Sequence, residues 1–454
     1  MTIIFDKVLE IYRKYYICSH CLGRMFSLLG TNTTNLERGT SLLISITMEN
    51  HGKYLSENKD YEKEAIKNLK ILAENANFLP AQKVLEKEGI EFFNLNSNKM
   101  CYLCHNIFLN LQKYVDKAEK LTKDIEFDNF LIGTRPNSKI VNQEDNLKAE
   151  LNILDSESFK SHFNREVGKM FSAEIKKPAK FNNPDIVLTY LISFNSFKVD
   201  LNIRSLFIFG RYNKLIRGIP QTRWPCKKCF GKGCEICNFS GKKYKTSVEE
   251  LISSEFIKEA HATDSKFHGA GREDIDVRML GTGRPFIIEL RNPITRNLNL
   301  NKILKKVNKS NKKKVKVCDL KYTNKKEVIN IKTEAENTKK TYKALVESEK
   351  KIDFKKFKLL NNELKLRLEN QKISQRTPIR VSHRRTDLIR EKFIFKIDGE
   401  YLKPNLFEFK IETQGGTYVK ELINGDGGRT FPSFVAIFDC SLICKELDVI
   451  EIKY

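Results

Sequence analysis

The chain has 454 residues, 40% of them hydrophobic, which is enough for two or three domains with packed cores and excludes a disordered protein. Its 81 Lys and Arg stand against 57 Asp and Glu, a formal net charge of +24, so the summed field attracts polyanions. Nucleic acid is the partner this balance points to, with a basic protein from a Lys- and Asn-rich proteome as the alternative. Met1 to Tyr16 mixes Asp, Glu, Arg and Lys among its apolar residues, and no run is long enough to span a bilayer, so the expected protein is soluble and cytoplasmic, with no membrane partner.

Helical spacing covers Ile3 to Leu29, the stretch around Leu42 to Met48, and Tyr61 to Ala73. Cys18-Ser-His-Cys21 interrupts the first of these and Cys101-Tyr-Leu-Cys104 follows the last. Two such pairs, about eighty residues apart, can give four thiolates to one tetrahedral zinc; unrelated buried pairs and a redox pair are the alternatives. Phe130 to Asn137 reads as a strand entering a turn and Glu150 to Phe171 as mainly helical. Asn183-Pro184-Asp185 turns into the strand Ile186 to Ile192, followed by strands Phe197 to Ile203 and Leu206 to Gly210. Helices and strands mixed in this way predict an α+β accessory module over residues 1–245.

Within that module Cys226-Lys-Lys-Cys229-Phe-Gly-Lys-Gly-Cys234-Glu-Ile-Cys237 carries the strongest metal signal. Gly231 and Gly233 permit a tight knuckle, and four soft ligands so close suit one zinc, with a reducible dithiol as the alternative. Its lysines would sit on a rigid knob suited to phosphate contacts.

Residues 246–454 form the second expected domain, opening with a helix from Thr246 to Glu259. Ile275, Val277 and Met279 alternate with Asp274, Asp276 and Arg278; after Gly281-Thr-Gly283, Phe286, Ile288 and Leu290 do the same. This period of two predicts a half-buried hairpin with a turn at Gly281 to Gly283. The plain reading of its polar face is a solvated surface. However, a carboxylate leaving a Gly-Ala-Gly loop near Arg272 and Arg278 can be held ionised. Asn301 to Lys326 is strongly basic and predicts an exposed strand around Val315 and Val317. Lys340 to Val346 reads as helix, Lys392 to Ile397 and Leu406 to Thr413 as strands, and Gln375 to Arg385 as a second basic cluster.

Several chemistries lack their signatures. Gly281-Thr-Gly283-Arg-Pro has no third glycine for a dinucleotide fingerprint, no phosphate-cradling Gly-Lys-Ser/Thr loop occurs, and the seven histidines form no zinc-hydrolase or deaminase motif. A carboxylate nucleophile supported by aromatic and arginine side chains, with no organic cofactor, fits what is left.

Gly271-Arg-Glu-Asp274-Ile-Asp-Val-Arg278, with Gly283-Arg-Pro285, Lys340-Thr-Tyr342, Gln375-Arg-Thr-Pro378, His383-Arg-Arg385 and Gly416-Thr-Tyr418, resembles the archaeal and eukaryotic tRNA pseudouridine synthases that modify uridines 54 and 55 of the TΨC arm. The resemblance implies an N-terminal zinc site at Cys18, Cys21, Cys101 and Cys104, a THUMP-like RNA-binding region over about residues 60–190, and, at Cys226, Cys229, Cys234 and Cys237, an insertion similar to that of archaeal members. It also implies a pseudouridine synthase catalytic domain with a mixed, largely antiparallel sheet flanked by helices. By the same likeness Asp274 is the catalytic aspartate, with Asp276 as its competitor. Tyr418 is the tyrosine that stacks on the base and helps remove its C5 proton, and Tyr342 is a second substrate contact. Arg429 or Arg272 would pair with Asp274, while Arg272, Arg278, Arg376, Arg380, Arg384 and Arg385 would hold the RNA, whose recognition rests on shape and phosphates. The expected partner is tRNA, with no obligate protein partner. A non-catalytic zinc-dependent tRNA chaperone is the alternative function; a THUMP-bearing methyltransferase would need a glycine-rich cofactor loop that the chain lacks.

Overall fold

The computed structural model describes residues 3–56, 59–93, 99–334, 337–383 and 385–453. The chain packs as two compact units, Met1–Arg204 and Ser205–Tyr454. The division falls at Arg204/Ser205 instead of near residue 245, because Leu206–Lys214 is a full member of the second unit's sheet.

The first unit opens with helices Ile3–Lys14, Ser19–Met25, Asn35–Tyr54, Lys59–Lys70, Leu79–Lys87 and Gln112–Thr122. A three-stranded sheet follows: β1 (Phe130–Pro136) pairs parallel with β2 (Ile186–Ile192), which pairs antiparallel with β3 (Phe197–Ile203). The stretch between β1 and β2 is two helices, Ser138–Glu150 and Phe159–Ile175. The second starts where Ser158 accepts a hydrogen bond from the Ser161 amide, and its Phe159, Phe163, Val167 and Phe171 form one buried stripe at a spacing of four. Phe171 meets Phe130 of β1 edge to face, 4.8 Å between ring centres.

The second unit is built on one mixed sheet of ten strands. β4 (Leu206–Lys214), β5 (Asp264–Gly269), β6 (Arg278–Arg291), β7 (Val315–Thr323), β8 (Lys339–Ser348), β9 (Gln371–Arg376), β10 (Ile389–Lys403), β11 (Leu406–Gln414), β12 (Thr430–Phe431) and β13 (Leu442–Lys453) lie in the order β12-β9-β10-β11-β8-β13-β6-β4-β7, with β5 paired to β6. Among the described residues of this sheet only β13 and β6 run parallel. Helices Val248–Ala260, Leu300–Ser310 and Phe354–Leu368 pack on it; the first starts at Ser247, whose hydroxyl takes the Glu250 amide, and buries Val248, Ile252, Phe256 and Ala260 at a spacing of four.

Two predicted elements differ. Asp274 to Arg291 is not a hairpin: Asp274 to Val277 is a turn, closed by the Val277 amide on the Asp274 carbonyl, and Arg278 to Arg291 is one strand. Gly281 lets β13 pass, since a Cβ there would stand 1.8 Å from the Ile450 carbonyl oxygen. The hairpin is instead β5 with the second half of β6, Gly269 opposite Phe286. Lys340 to Val346 is strand β8, not helix, because hydrogen-bonded neighbours β11 and β13 flank it on both sides. The basic stretch after Asn301 is shared between helix Leu300–Ser310 and β7, with Val315 and Val317 buried. Among the described residues no helix is long and apolar enough to cross a membrane.

Candidate active site and thiolate centres

Asp274 leads the turn between β5 and β6, and its carboxylate lines a cavity of about 440 Å³, a size usual for small-ligand sites. Tyr342 enters from β8; Tyr418 comes from the start of helix Val419–Asn424, and Arg272, Arg385 and Lys420 complete the wall. Arg380 Nη1 lies 2.9 Å from Asp274 Oδ2 and Lys420 Nζ 3.8 Å from it. Arg380 is itself fixed by Glu421, Nε to Oε1 2.5 Å. Burial opposes the Arg380 charge, but Glu421 and Asp274 outweigh it and raise its pKa, so the guanidinium stays a permanent cation.

The arginine beside Asp274 is thus Arg380 and not Arg429. Arg429 binds Asp387 at 2.6 Å and the Thr377 carbonyl at 2.7 Å. Arg376 meets Asp387 at 2.8 Å, and Arg278 grips Asp448 through Nε at 2.9 Å and Nη2 at 2.5 Å, away from the cavity wall. Arg272 lies on the wall with its guanidinium 5.9 Å from the Trp224 ring centre. Arg384 lies outside the described residues. Asp276 faces Lys420 at 2.6 Å; burial works to raise its pKa, but Lys420 prevails and holds it low.

The two tyrosines differ. Tyr342 is buried, which pushes its pKa up to about 12, so it remains a phenol at neutral pH. Tyr418 receives a 2.7 Å hydrogen bond from Arg385 Nη1. Its backbone is clamped on both sides by buried Gln375, whose Oε1 accepts the Tyr418 amide at 2.9 Å and whose Nε2 donates to the Tyr418 carbonyl at 3.0 Å.

Sequence reasoning assigns no role to the groups beneath the Asp274 turn. Buried Lys214, at the end of β4, donates from Nζ to the carbonyls of Asp274 (3.0 Å), Ile275 (3.1 Å) and Ile219 (3.1 Å), holding the turn from below. Glu273 accepts from Tyr212 Oη and pairs with Arg284 at 2.8 Å. Lys340 points into the cavity with no hydrogen bond or ion pair to its amine among the described residues. Burial, then repulsion from Arg284 and Lys392, lowers its pKa to about 7. The signal available for these residues was their place beside recognised ones: Glu273 precedes Asp274, Lys340 lies two before Tyr342, and Gln375 opens the basic cluster.

Cys18, Cys21, Cys101 and Cys104 bring four thiols within 4.8 Å of one another, and so do Cys226, Cys229, Cys234 and Cys237. Sulfur pairs stand 3.7 Å apart in the first group and 3.7 to 3.9 Å in the second, matching the roughly 3.8 Å edge of a tetrahedron with metal–sulfur bonds of about 2.3 Å. Backbone amides of Gly233, Cys234 and Gly241 point at sulfurs of the second group, with Gly231 and Gly233 at φ +98° and +96°. Both donor sets fit a thiolate-bound ion.

Comparison with known proteins adds a lineage. The C-terminal model of the Pus10 family matches residues 207–453, and its archaeal THUMP domain matches residues 114–190. The tRNA pseudouridine synthase Pus10 of Methanocaldococcus jannaschii is 42% identical over 452 residues, covering 98% of this chain and 93% of that protein. The Methanothrix thermoacetophila protein of the same name is 37% identical over 451 residues, covering 99% and 94%. Among solved structures, a Cbf5-Nop10-Gar1 complex aligns with 54% of this chain and 48% of that one at 16% identity and a TM-score of 0.28, too low to carry an argument.

Proposed function

The chain belongs to the Pus10 family, and from that premise we propose that it is a tRNA pseudouridine synthase acting on uridine 54, uridine 55 or both in the TΨC arm. The observation that carries this reading is the Asp274 carboxylate, paired with Arg380 at 2.9 Å and sharing one cavity with Tyr342 and Tyr418. The reaction breaks the C1′–N1 bond and forms C1′–C5. Asp274 attacks C1′ and releases the uracil as an anion. The ring turns, C5 attacks C1′ and expels the carboxylate, the C5 proton leaves and N1 gains one. Every atom of the product is already in the substrate, so no organic cofactor is required.

Arg380 pairs with the Asp274 carboxylate and aims it. Tyr418 stacks on the extruded base and assists removal of the C5 proton, directly or through water, while Tyr342, held protonated by burial, packs and hydrogen-bonds without acting as the base. Arg272 and Arg385 on the cavity wall, with Arg384 by its place in the sequence, contact the RNA backbone. Arg278 and Arg376 act through the carboxylates they hold and are not proposed as RNA contacts. Both four-cysteine groups hold structural zinc, which accepts four thiolates in a tetrahedron. With tRNA as substrate, the site of action is the cytoplasm.

The test is tritium release from a tRNA transcript labelled at uridine C5. Wild-type protein releases tritium and Asp274→Asn does not, while both bind the transcript. Binding without release by the wild type would leave a non-catalytic tRNA-binding protein in place of the enzyme.

A further inference from the structure

The four-cysteine knob at residues 226–237 presents an unusual surface. Phe230, Ile236 and Phe239 are 81%, 71% and 75% exposed, three large apolar side chains on one short loop tied together by four thiols. Phe230 and Phe239 have φ of +51° and +56°, the left-handed region that a bulky side chain rarely adopts. Glycine or asparagine would fill such positions with less strain, and the exposed rings gain no packing in return. Between Cys226 and Lys245 there are six lysines and a single acid, Glu235. Lys242 is tied to Glu250; Lys227, Lys228, Lys232, Lys243 and Lys245 are exposed.

The knob is joined to the cavity wall. Its stem closes where Pro225 bridges Lys242, and Trp224 at the base meets Tyr244 edge to face. Lys243 lies 5.4 Å and Arg272 5.9 Å from the Trp224 ring centre, and Arg272 also lines the cavity that holds Asp274. A strand of polyanion leaving that cavity along Arg272 meets the knob next.

We propose that Phe230 and Phe239 are a stacking platform for unpaired nucleotides of the bound RNA, with the surrounding lysines taking the flanking phosphates. The proposal rests on the reading of the cavity as an RNA-modifying site. Aromatic faces suit this ligand because every base has a π-face, and stacking tolerates any sequence. The surplus of lysines selects a polyanion over an apolar protein partner.

The test uses the full zinc-loaded chain and a TΨC-arm-bearing tRNA transcript, with binding read by fluorescence anisotropy. The variants are Phe230→Ser/Phe239→Ser and Phe230→Trp/Phe239→Trp. The serine pair weakens binding about tenfold or more, and the tryptophan pair binds within about threefold of wild type. Metal content and melting temperature remain those of the wild type in both. A serine variant that keeps its metal and binds with wild-type affinity overturns the platform, as does one whose only change is oligomeric state, which would make the knob a contact between copies. Wild-type protein that binds no tRNA overturns both readings; wild-type turnover with an unaffected serine variant overturns the platform alone.

Discussion

Lys340→Met makes the protein more stable at neutral pH. The lysine is 6% exposed, and Arg284 and Lys392 repel its charge while Glu273 alone favours it. Its pKa falls from 10.5 to about 7. For a lysine lowered in this way the folding penalty is complete below pH 7, where both states are protonated, and fades as pH rises to 10.5, where both are neutral. A gap of about 3.5 units corresponds to roughly 5 kcal/mol. Met fills a similar volume without the charge, and after relaxation of the cavity wall about 2–3 kcal/mol should be recovered at pH 7, raising Tm by about 5–10 °C for a unit of this size. At pH 9.5 the gain should shrink to about a third of that value. Urea and thermal unfolding of both proteins at the two pH values measure it. A variant less stable than wild type at pH 7, or a gain that is the same at both pH values, refutes the reasoning.

Gln375→Leu removes both hydrogen bonds that clamp the Tyr418 backbone; it lowers kcat about tenfold or more with little change in tRNA affinity, read by single-turnover tritium release. Arg380→Lys keeps a charge but not the fork that spans Asp274 and Glu421, so kcat falls about 100-fold while the protein stays folded, whereas Arg380→Met also strands buried Glu421 and lowers the melting temperature. Metal analysis of purified protein returns about two zinc ions per chain, and a chelator strong enough to strip the Cys18 group unfolds the first unit. Wild-type binding of tRNA near pH 8 takes up a proton as phosphate approaches Lys340, seen as a binding enthalpy that depends on the buffer's ionisation enthalpy.

Local signals were legible where one local force decides the outcome. Ile186 to Ile192 and Phe197 to Ile203 are strands as expected, because a turn and β-branched or aromatic residues act together there. The cysteine spacings point to two four-thiol groups, and the structure gathers both. Lys340 to Val346 misled because a strand paired on both edges and bearing lysines at 340 and 343 lacks the clean alternation of a half-buried one. Gly281-Thr-Gly283 looks like a turn because glycines serve turns, but here Gly281 makes room for β13 and Gly283 for β4, partners that are remote in sequence. The choice of Arg380 over Arg429 beside Asp274 depends on Asp387, which draws Arg429 and Arg376 to itself; no local pattern around Asp274 contains that information.

The cluster beneath Asp274 was the least legible part and says most about the site. Lys214, Arg284 and Lys340 are buried around the single carboxylate of Glu273, and Arg380 and Lys420 add charge above it against Asp274 and Asp276. A fold selected for stability alone would replace Lys340 with an apolar residue of the same size. Its retention in a cavity that already has a positive surplus makes sense if the missing negative charge arrives with the substrate. Polyanion binding would then offset the burial and the repulsion that together lower the Lys340 pKa, converting part of the cluster's strain into affinity for RNA at the moment the base reaches Asp274. By this reasoning Lys340→Met gains stability and loses tRNA affinity together, a pairing that a merely structural lysine would not produce.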